Sequence, residues 1–258
     1  MTTVTSATGH VRVEDADGIR SITLNRPDKR NALTVEMYET LAAALAGADS
    51  AEGVRVVLIA GAGGAFTGGN DLKDFLNNPP IAEDSAVSRF LQAIATCAVP
   101  IVAAVEGPAV GVGTTMLLHC DLVYATPDAR LHLPFIDLGL VPEAGSSLLL
   151  PKLIGHQRAA QMLMLGEPLS GEQAAAVGLV NAVVPSGDLL ATARAKAAAL
   201  AAKPPGALRR TKALMRAHDR DAVLATMATE GRIFGELLRS PEAVAAFQAF
   251  FMKAAAKG

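Results

Sequence analysis

Ile101-Val-Ala-Ala-Val-Glu-Gly-Pro-Ala-Val-Gly-Val-Gly113 decides how this chain is read. Five apolar residues run without a polar interruption into a loop carrying Gly107, Gly111 and Gly113. A strand that does not alternate is buried on both faces, which is the habit of parallel sheets flanked by helices. A second junction of the same kind lies upstream, where Val54 to Ala60 runs into Gly61-Ala-Gly-Gly-Ala-Phe-Thr-Gly-Gly-Asn-Asp71. The dinucleotide fingerprint needs a third glycine where this loop has Phe66, and no Lys-Ser or Lys-Thr follows for a phosphate loop. Two such junctions can instead each present a free backbone N–H to one point, which makes an oxyanion hole for charge developing on a carbonyl oxygen. The plainer reading is that both loops are tight turns.

Outward from these junctions the pattern is strand then helix, repeated. Val11 and Val13, Asp17-Gly18, then Ile19, Ile22 and Leu24 read as a hairpin with a two-residue turn. Asn25 to Asn31 is a polar loop with three cations. Thr34 is placed to cap a helix bearing Met37, Leu41 and Leu45 on one face. Residues 86–96 and Thr114 to His119 read as helical, and Leu122 to Ala125 and Ala129 to Leu133 as short strands. Helices follow at about 145–153, from His156, and from Ser170, which forms a capping box with Gln173. Leu179 to Val184 reads as the last strand. From Leu189 onward everything is helical, with Pro241 at the first position of the last helix. The expectation is an α/β core over residues 1–200 and a helical region over 201–258.

Composition narrows the function. The chain has 258 residues, 51% of them hydrophobic, only 19% charged, a net charge of −2 and no Trp. A large core is easily built, and nothing recommends nucleic acid or an anionic membrane. Cys97 and Cys120 sit in apolar settings, which suits a reduced compartment. No run is long enough to span a membrane. The start lacks a secretory signal and the end, Ala-Lys-Gly, matches no peroxisomal address, so a cytoplasmic setting is expected.

Pro134-Phe-Ile-Asp-Leu-Gly-Leu-Val-Pro-Glu-Ala-Gly-Ser-Ser147 is the chemically suggestive stretch. Glu143 stands among apolar neighbours, and a dehydrated carboxyl titrates nearer neutrality, where it can move protons. An exposed loop acid is the alternative. Asp137 is a competing acid or a structural one. His132 reads as a structural histidine, since no nucleophile or metal-ligand spacing accompanies it.

Asn25-Arg-Pro, Asn31-Ala-Leu, Ala65-Phe-Thr-Gly-Gly-Asn-Asp-Leu72, Val105 to Gly113, Cys120-Asp-Leu-Val-Tyr-Ala125 and Ala174-Ala-Ala-Val-Gly-Leu-Val180 stand in an order that resembles the crotonase (enoyl-CoA hydratase/isomerase) superfamily. The resemblance runs over about residues 10–255. It implies a spiral of ββα turns, a C-terminal helical region that makes a homotrimer or dimer of trimers, and an acyl-CoA thioester as substrate. Neither a separate cofactor nor a metal is implied. The thioester oxygen would rest on the N–H groups of Asn70 and Val112, each such donor contributing ~3 kcal/mol in the transition state. Substrate contacts would come from Ala32, Gly68, Gly69, Asp71, Leu72, Gly111, Thr115, Phe135 and Asp137. Arg26, Lys29, Arg30, Lys253 and Lys257 are candidates for the CoA phosphates, and Phe247, Phe250 and Phe251 for its adenine or for an intersubunit contact.

The acids separate the reactions within that superfamily. Hydratases resemble one another in carrying two glutamates, at the places of Thr115 and Phe135 here. Neither is a carboxylate in this chain. Glu143, with Leu133-Pro-Phe and Gly107-Pro-Ala-Val-Gly, is instead similar to Δ3,Δ2-enoyl-CoA isomerases of the peroxisomal type and to bacterial phenylacetate-pathway isomerases. In these a single carboxylate carries one proton from C2 to C4. A hydratase and a non-catalytic acyl-CoA binder are the two alternatives.

Overall fold

The hairpin forms because Asp17 and Gly18 both take positive φ, 53° and 80°, the turn whose twist matches paired strands. The computed structural model describes residues 2–78 and 84–255, the side chains of 2–5 and 253–255 excepted. The first strands are β1 (Thr2–Thr5), β2 (Val11–Ala16) and β3 (Ile19–Leu24), followed by α1 (Val35–Ala46), β4 (Val56–Gly61), α2 (Leu72–Asn77) and α3 (Ala86–Thr96). Next come β5 (Ile101–Val105), β6 (Pro108–Val110), α4 (Val112–Thr115), β7 (Leu122–Ala125), β8 (Arg130–His132), α5 (Ser146–Ile154) and α6 (His156–Met164). The chain continues through β9 (Leu169–Ser170), α7 (Gly171–Ala176), β10 (Ala182–Val183), α8 (Ser186–Ala201), α9 (Pro205–Arg216), α10 (Arg220–Leu237) and α11 (Pro241–Ala255).

Seven strands pair in the order β1-β2-β3-β4-β5-β7-β10, and three more in the order β6-β8-β9. The chain steps from the large sheet to the small one at β5–β6 and again at β7–β8, each time followed by a helix. It returns through β9, α7 and β10. This is the expected ββα spiral. From β3 to β10 every pairing in the large sheet is parallel, so the ends of β4 and β5 lie side by side.

The unbroken apolar strands are explained by two cores. Val57, Ile59, Ile101, Ala103 and Val105 face the larger one, with α1 and α3. Val56, Leu58, Val102 and Ala104 face the smaller one, under Leu189, Ala193, Ala197 and Ala201 of α8. The four-residue spacing of the three alanines leaves a smooth helical stripe that can lie close on the sheet. Phe234, Leu238, Ala243 and Phe247 of the last two helices and the turn between them belong to the larger core.

Several elements depart from the sequence-based expectation. Leu179 and Val180 are buried but not extended. Their N–H groups both reach back to Ala174 O at the end of α7, which leaves only Ala182–Val183 as strand. The second glycine loop contains β6, too short to show a period. α2 was hidden because its cap, Asp71, lies inside the first glycine loop. Among the described residues no helix is long and apolar enough to cross a membrane.

Candidate active site

The two glycine loops are zipped to each other by main-chain hydrogen bonds. Phe66 N–H donates to Glu106 O at 2.7 Å, Thr67 N–H to Pro108 O at 2.9 Å, and Val110 N–H to Thr67 O at 3.0 Å. Buried Asn31 rivets the first loop to the chain before it. Its amide donates to Ala62 O at 2.9 Å and Ala65 O at 2.7 Å, and its oxygen accepts from Arg26 N–H at 2.7 Å.

This arrangement leaves two donors over. Leu33 N–H donates to Gly69 O and Asp71 N–H to Leu33 O, both at 2.8 Å. These bonds straddle Asn70, whose own N–H is passed by. Val112 is the first residue of α4, where an N–H has no intrahelical acceptor. Among the described residues neither N–H finds a partner, and both residues line one cavity of about 540 Å³. Glycine is required beside each. Gly69 has φ +86°, and a Cβ there would stand 2.8 Å from Val110 O. Gly111 has φ 55° and ψ −117°, a region closed to L side chains. The Asn70 side-chain oxygen accepts from the buried Tyr38 hydroxyl.

The acid comes from a separate segment, 134–147. Glu143 is 7% exposed, and its Oε1 is buried with no hydrogen-bond partner. Burial first, and then the charge of Glu230, push the carboxyl up to about 8. Directly after it, Ala144 and Gly145 take φ 63° and 71°. A left-handed alanine is strained, and such strain persists only when surroundings over-determine it. Here they do. Ala144 O accepts from His119 Nε2 at 2.7 Å. Burial lowers His119 to about 4, so the ring is neutral and Nε2 carries its hydrogen. Gly145 N–H donates to Glu230 Oε2 at 2.6 Å, and the Ser147 N–H and hydroxyl donate to Glu230 Oε1 at 2.9 and 2.5 Å.

Glu143 is not itself among the residues lining the 540 Å³ cavity; Leu138 and Leu140 of the same segment are. Its charge acts on the Tyr38 hydroxyl, which bonds Asn70. Behind Glu143, Val141, Pro142, Ser147 and Glu230 border a second cavity of about 400 Å³.

Of the other expected contacts, Gly68, Gly69, Leu72, Gly111, Phe135 and Asp137 line the larger cavity with His132. Ala32 and Thr115 do not. Thr115 is fully buried, its hydroxyl on Val112 O at 3.4 Å, behind the loop rather than in the site. Arg26 and Asp71 neutralise each other at 2.7 Å, and Asp71 also caps α2. Burial opposes ionisation of Asp71, but the Arg26 hydrogen bond and the α2 amides outweigh it and hold the carboxyl below its ordinary value. Lys29 and Arg30 are exposed, with their carbonyls beside Gly68 of the cavity wall. Phe247 and Phe250 line the cavity, whereas Phe251 is part-buried against the larger core. Lys257 and the Lys253 side chain lie outside the described residues.

Sequence reasoning passed over five residues. Phe75 and Phe234 pack edge to face at 6.1 Å and Phe135 and Phe234 at 6.4 Å, giving the cavity an aromatic wall. Tyr38 left one signal, a phenol on an otherwise aliphatic helix face. His119 and Glu230 left none, because each acts on a main-chain group far along the chain.

The enoyl-CoA hydratase/isomerase family profile matches residues 14–257. The chain is 34% identical to mouse peroxisomal enoyl-CoA delta isomerase 3, over 96% of this chain and 80% of the mouse protein. It is 36% identical to a probable enoyl-CoA hydratase of Rhodobacter capsulatus, over 94% of this chain and 95% of the other. The structure of Pseudomonas aeruginosa OdaA superposes with a TM-score of 0.91 at 49% identity, over 93% of this chain and 98% of OdaA. With this fold and these two unpaired amides behind it, the chain belongs to the enoyl-CoA hydratase/isomerase family, the crotonase superfamily of acyl-CoA enzymes.

Proposed function

We propose that this enzyme is a Δ3,Δ2-enoyl-CoA isomerase that shuttles one proton with Glu143. The observation that carries the reading is the buried, unpaired Glu143 carboxyl on a segment whose Leu138 and Leu140 wall the cavity of the two free amides. The thioester oxygen accepts from the Asn70 and Val112 N–H groups. Ionised Glu143 takes a proton from C2, and the electron pair delocalises onto that oxygen as an enolate. The carbon framework then accepts the same proton at C4, and the double bond comes to rest between C2 and C3. Water addition would need a second acid or base, and Thr115 and Phe135 supply none at the places hydratases use. The aromatic wall of Phe75, Phe135 and Phe234 also disfavours water on that side of the cavity.

The test is conversion of 3-enoyl-CoA to trans-2-enoyl-CoA by Glu143→Gln. Loss of turnover with retained acyl-CoA binding is expected, and near wild-type turnover would sink the assignment. Hydration of crotonyl-CoA, followed by loss of enoyl absorbance, is expected to be slow, and robust turnover would favour the hydratase reading. Asp137 also lines the cavity, so Asp137→Asn distinguishes one acid from two: unchanged isomerisation is expected. The same family reading carries a homotrimer. Leu214 and Met215, 75% and 77% exposed on α9, are apolar surface that it would cover, and sedimentation would report it.

A further inference from the structure

Glu230 is the second buried carboxylate of the acid wall, 5% exposed, and nothing in the proton shuttle uses it. All its recorded partners are donors: Gly145 N–H at 2.6 Å, Ser147 N–H at 2.9 Å and the Ser147 hydroxyl at 2.5 Å. Burial, the larger influence, raises this carboxyl above its ordinary value, while the three donors pull the other way and favour its ionised form. Those donors belong to the corner that begins one residue after Glu143. Resting on the isomerase reading above, we propose that Glu230 is a positioning residue: its carboxylate clamps the strained Ala144–Gly145 corner and sets the charge that Glu143 meets.

The charges around Glu143 support this. Tyr38 faces it from α1, Glu230 from α10, and His119 approaches through Ala144 O from the turn after α4. Tyr38 is pushed well above its ordinary value by burial and then by Glu143 itself. His119 is neutral by burial, with Arg216 and Lys212 opposing its protonation further, and those two cations are paired with Asp121. That leaves Glu230 as the one charge raising Glu143. Two carboxyls in one low-dielectric region cannot both ionise freely; burial raises both, and Glu230 alone has donors that oppose the rise. Glu230 also borders the 400 Å³ cavity behind the corner, so removing its charge need not open the substrate side.

The experiment uses the full-length enzyme with Glu230→Gln, Glu230→Asp and Glu143→Gln. Two readouts are needed. The first is the pH profile of kcat/KM for 3-enoyl-CoA isomerisation. The second is the infrared carbonyl band of a protonated carboxyl, assigned to Glu143 by its loss in Glu143→Gln. In wild type the band is expected at pH 7, and activity rises through about pH 8. Glu230→Gln is expected to weaken the band at pH 7 and move the acidic limb down by about one pH unit or more. Glu230→Asp keeps the anion, and with it the limb, while kcat falls about tenfold because the corner loses its fit. An unmoved band and limb in Glu230→Gln would overturn the proposal while leaving the isomerase intact. Absence of any Glu143 band in wild type would overturn it whatever the variants do. If Glu230→Gln fails to fold, an unchanged kcat in Glu230→Asp overturns the clamp. Full activity of Glu143→Gln is a different failure, that of the base assignment itself.

Discussion

The two walls of the candidate active site are built on different principles. The donor wall, where Asn70 and Val112 sit, is fastened by main chain to main chain across the Phe66–Thr67 and Glu106–Val110 segments. The acid wall is fastened by side chains borrowed from afar, with His119 on Ala144 O and Glu230 on Gly145 and Ser147. A main-chain zipper is indifferent to side-chain identity except where a Cβ cannot fit. A corner held by imported side chains can be retuned by substitutions that never touch it in sequence. The donor wall therefore tolerates most side-chain changes, and the acid wall is open to retuning from a distance.

The sharpest way to break this contrast is Gly69→Ala. The added Cβ meets both an unfavourable φ and Val110 O at 2.8 Å, so the Asn70 amide shifts. We expect kcat to fall about 100- to 1,000-fold, the cost of one lost oxyanion donor, with acyl-CoA binding measured by calorimetry changed far less. On the acid wall, His119→Ala leaves Ala144 O buried without its donor. A loss of about 10- to 100-fold in kcat is expected, together with a lower Tm.

A stability measurement sharpens the same point. Folding raises the Glu143 carboxyl from 4.5 to about 8. Burial disfavours ionised Glu143 relative to the protonated form, so its contribution is intact below pH 4.5 and is lost as the pH rises through 8. Glu143→Gln removes that loss. The variant should unfold at higher temperature than wild type above pH 8 and lose the advantage below pH 5. Calorimetric scans at the two pH values check the sign. Tyr38→Phe removes the donor on the Asn70 side chain but not the main-chain zipper, and a fall in kcat of only about five- to tenfold is expected. Val110→Ala is the smallest: its N–H still reaches Thr67 O, and steady-state kinetics should stay within about threefold of wild type.

The same contrast explains what could be read from the chain alone. The donor wall is local. Buried strands running into glycine loops announce it, and Asn70 and Val112 could be named from their place at those junctions once the family resemblance supplied their role. Glu143 was legible too, as an acid among apolar neighbours. What holds Glu143 was not. Glu230 lies on α10, more than eighty residues on, and reads there as one more helical glutamate. His119 looks like the last residue of a helix from Thr114, and it ends the 3-10 turn Met116–His119 that follows α4. Thr115 shows the reverse failure. Its motif position pointed to the site, but its side chain turns to Val112 O and into the core. Arg26 and Asp71 were legible as charged loop residues, whereas their 2.7 Å pairing across the fold was not.

The zipper between the two glycine loops also has a kinetic consequence. A ligand oxygen resting on those two amides would not be released by widening the hole between them, since several backbone bonds would have to break together. The yielding rim must be elsewhere. α11 carries Ala246, Phe247, Ala249 and Phe250 along the cavity, and it approaches the opposite rim at Gly139, where Ala243 N stands 3.0 Å from the position of a Cβ. Among the described residues no hydrogen bond ties α11 to another element. Among the described residues this helix rests on apolar contact, so it resists displacement less than the zipped loops do, and a product that leaves by displacing one rim would meet the smaller barrier there.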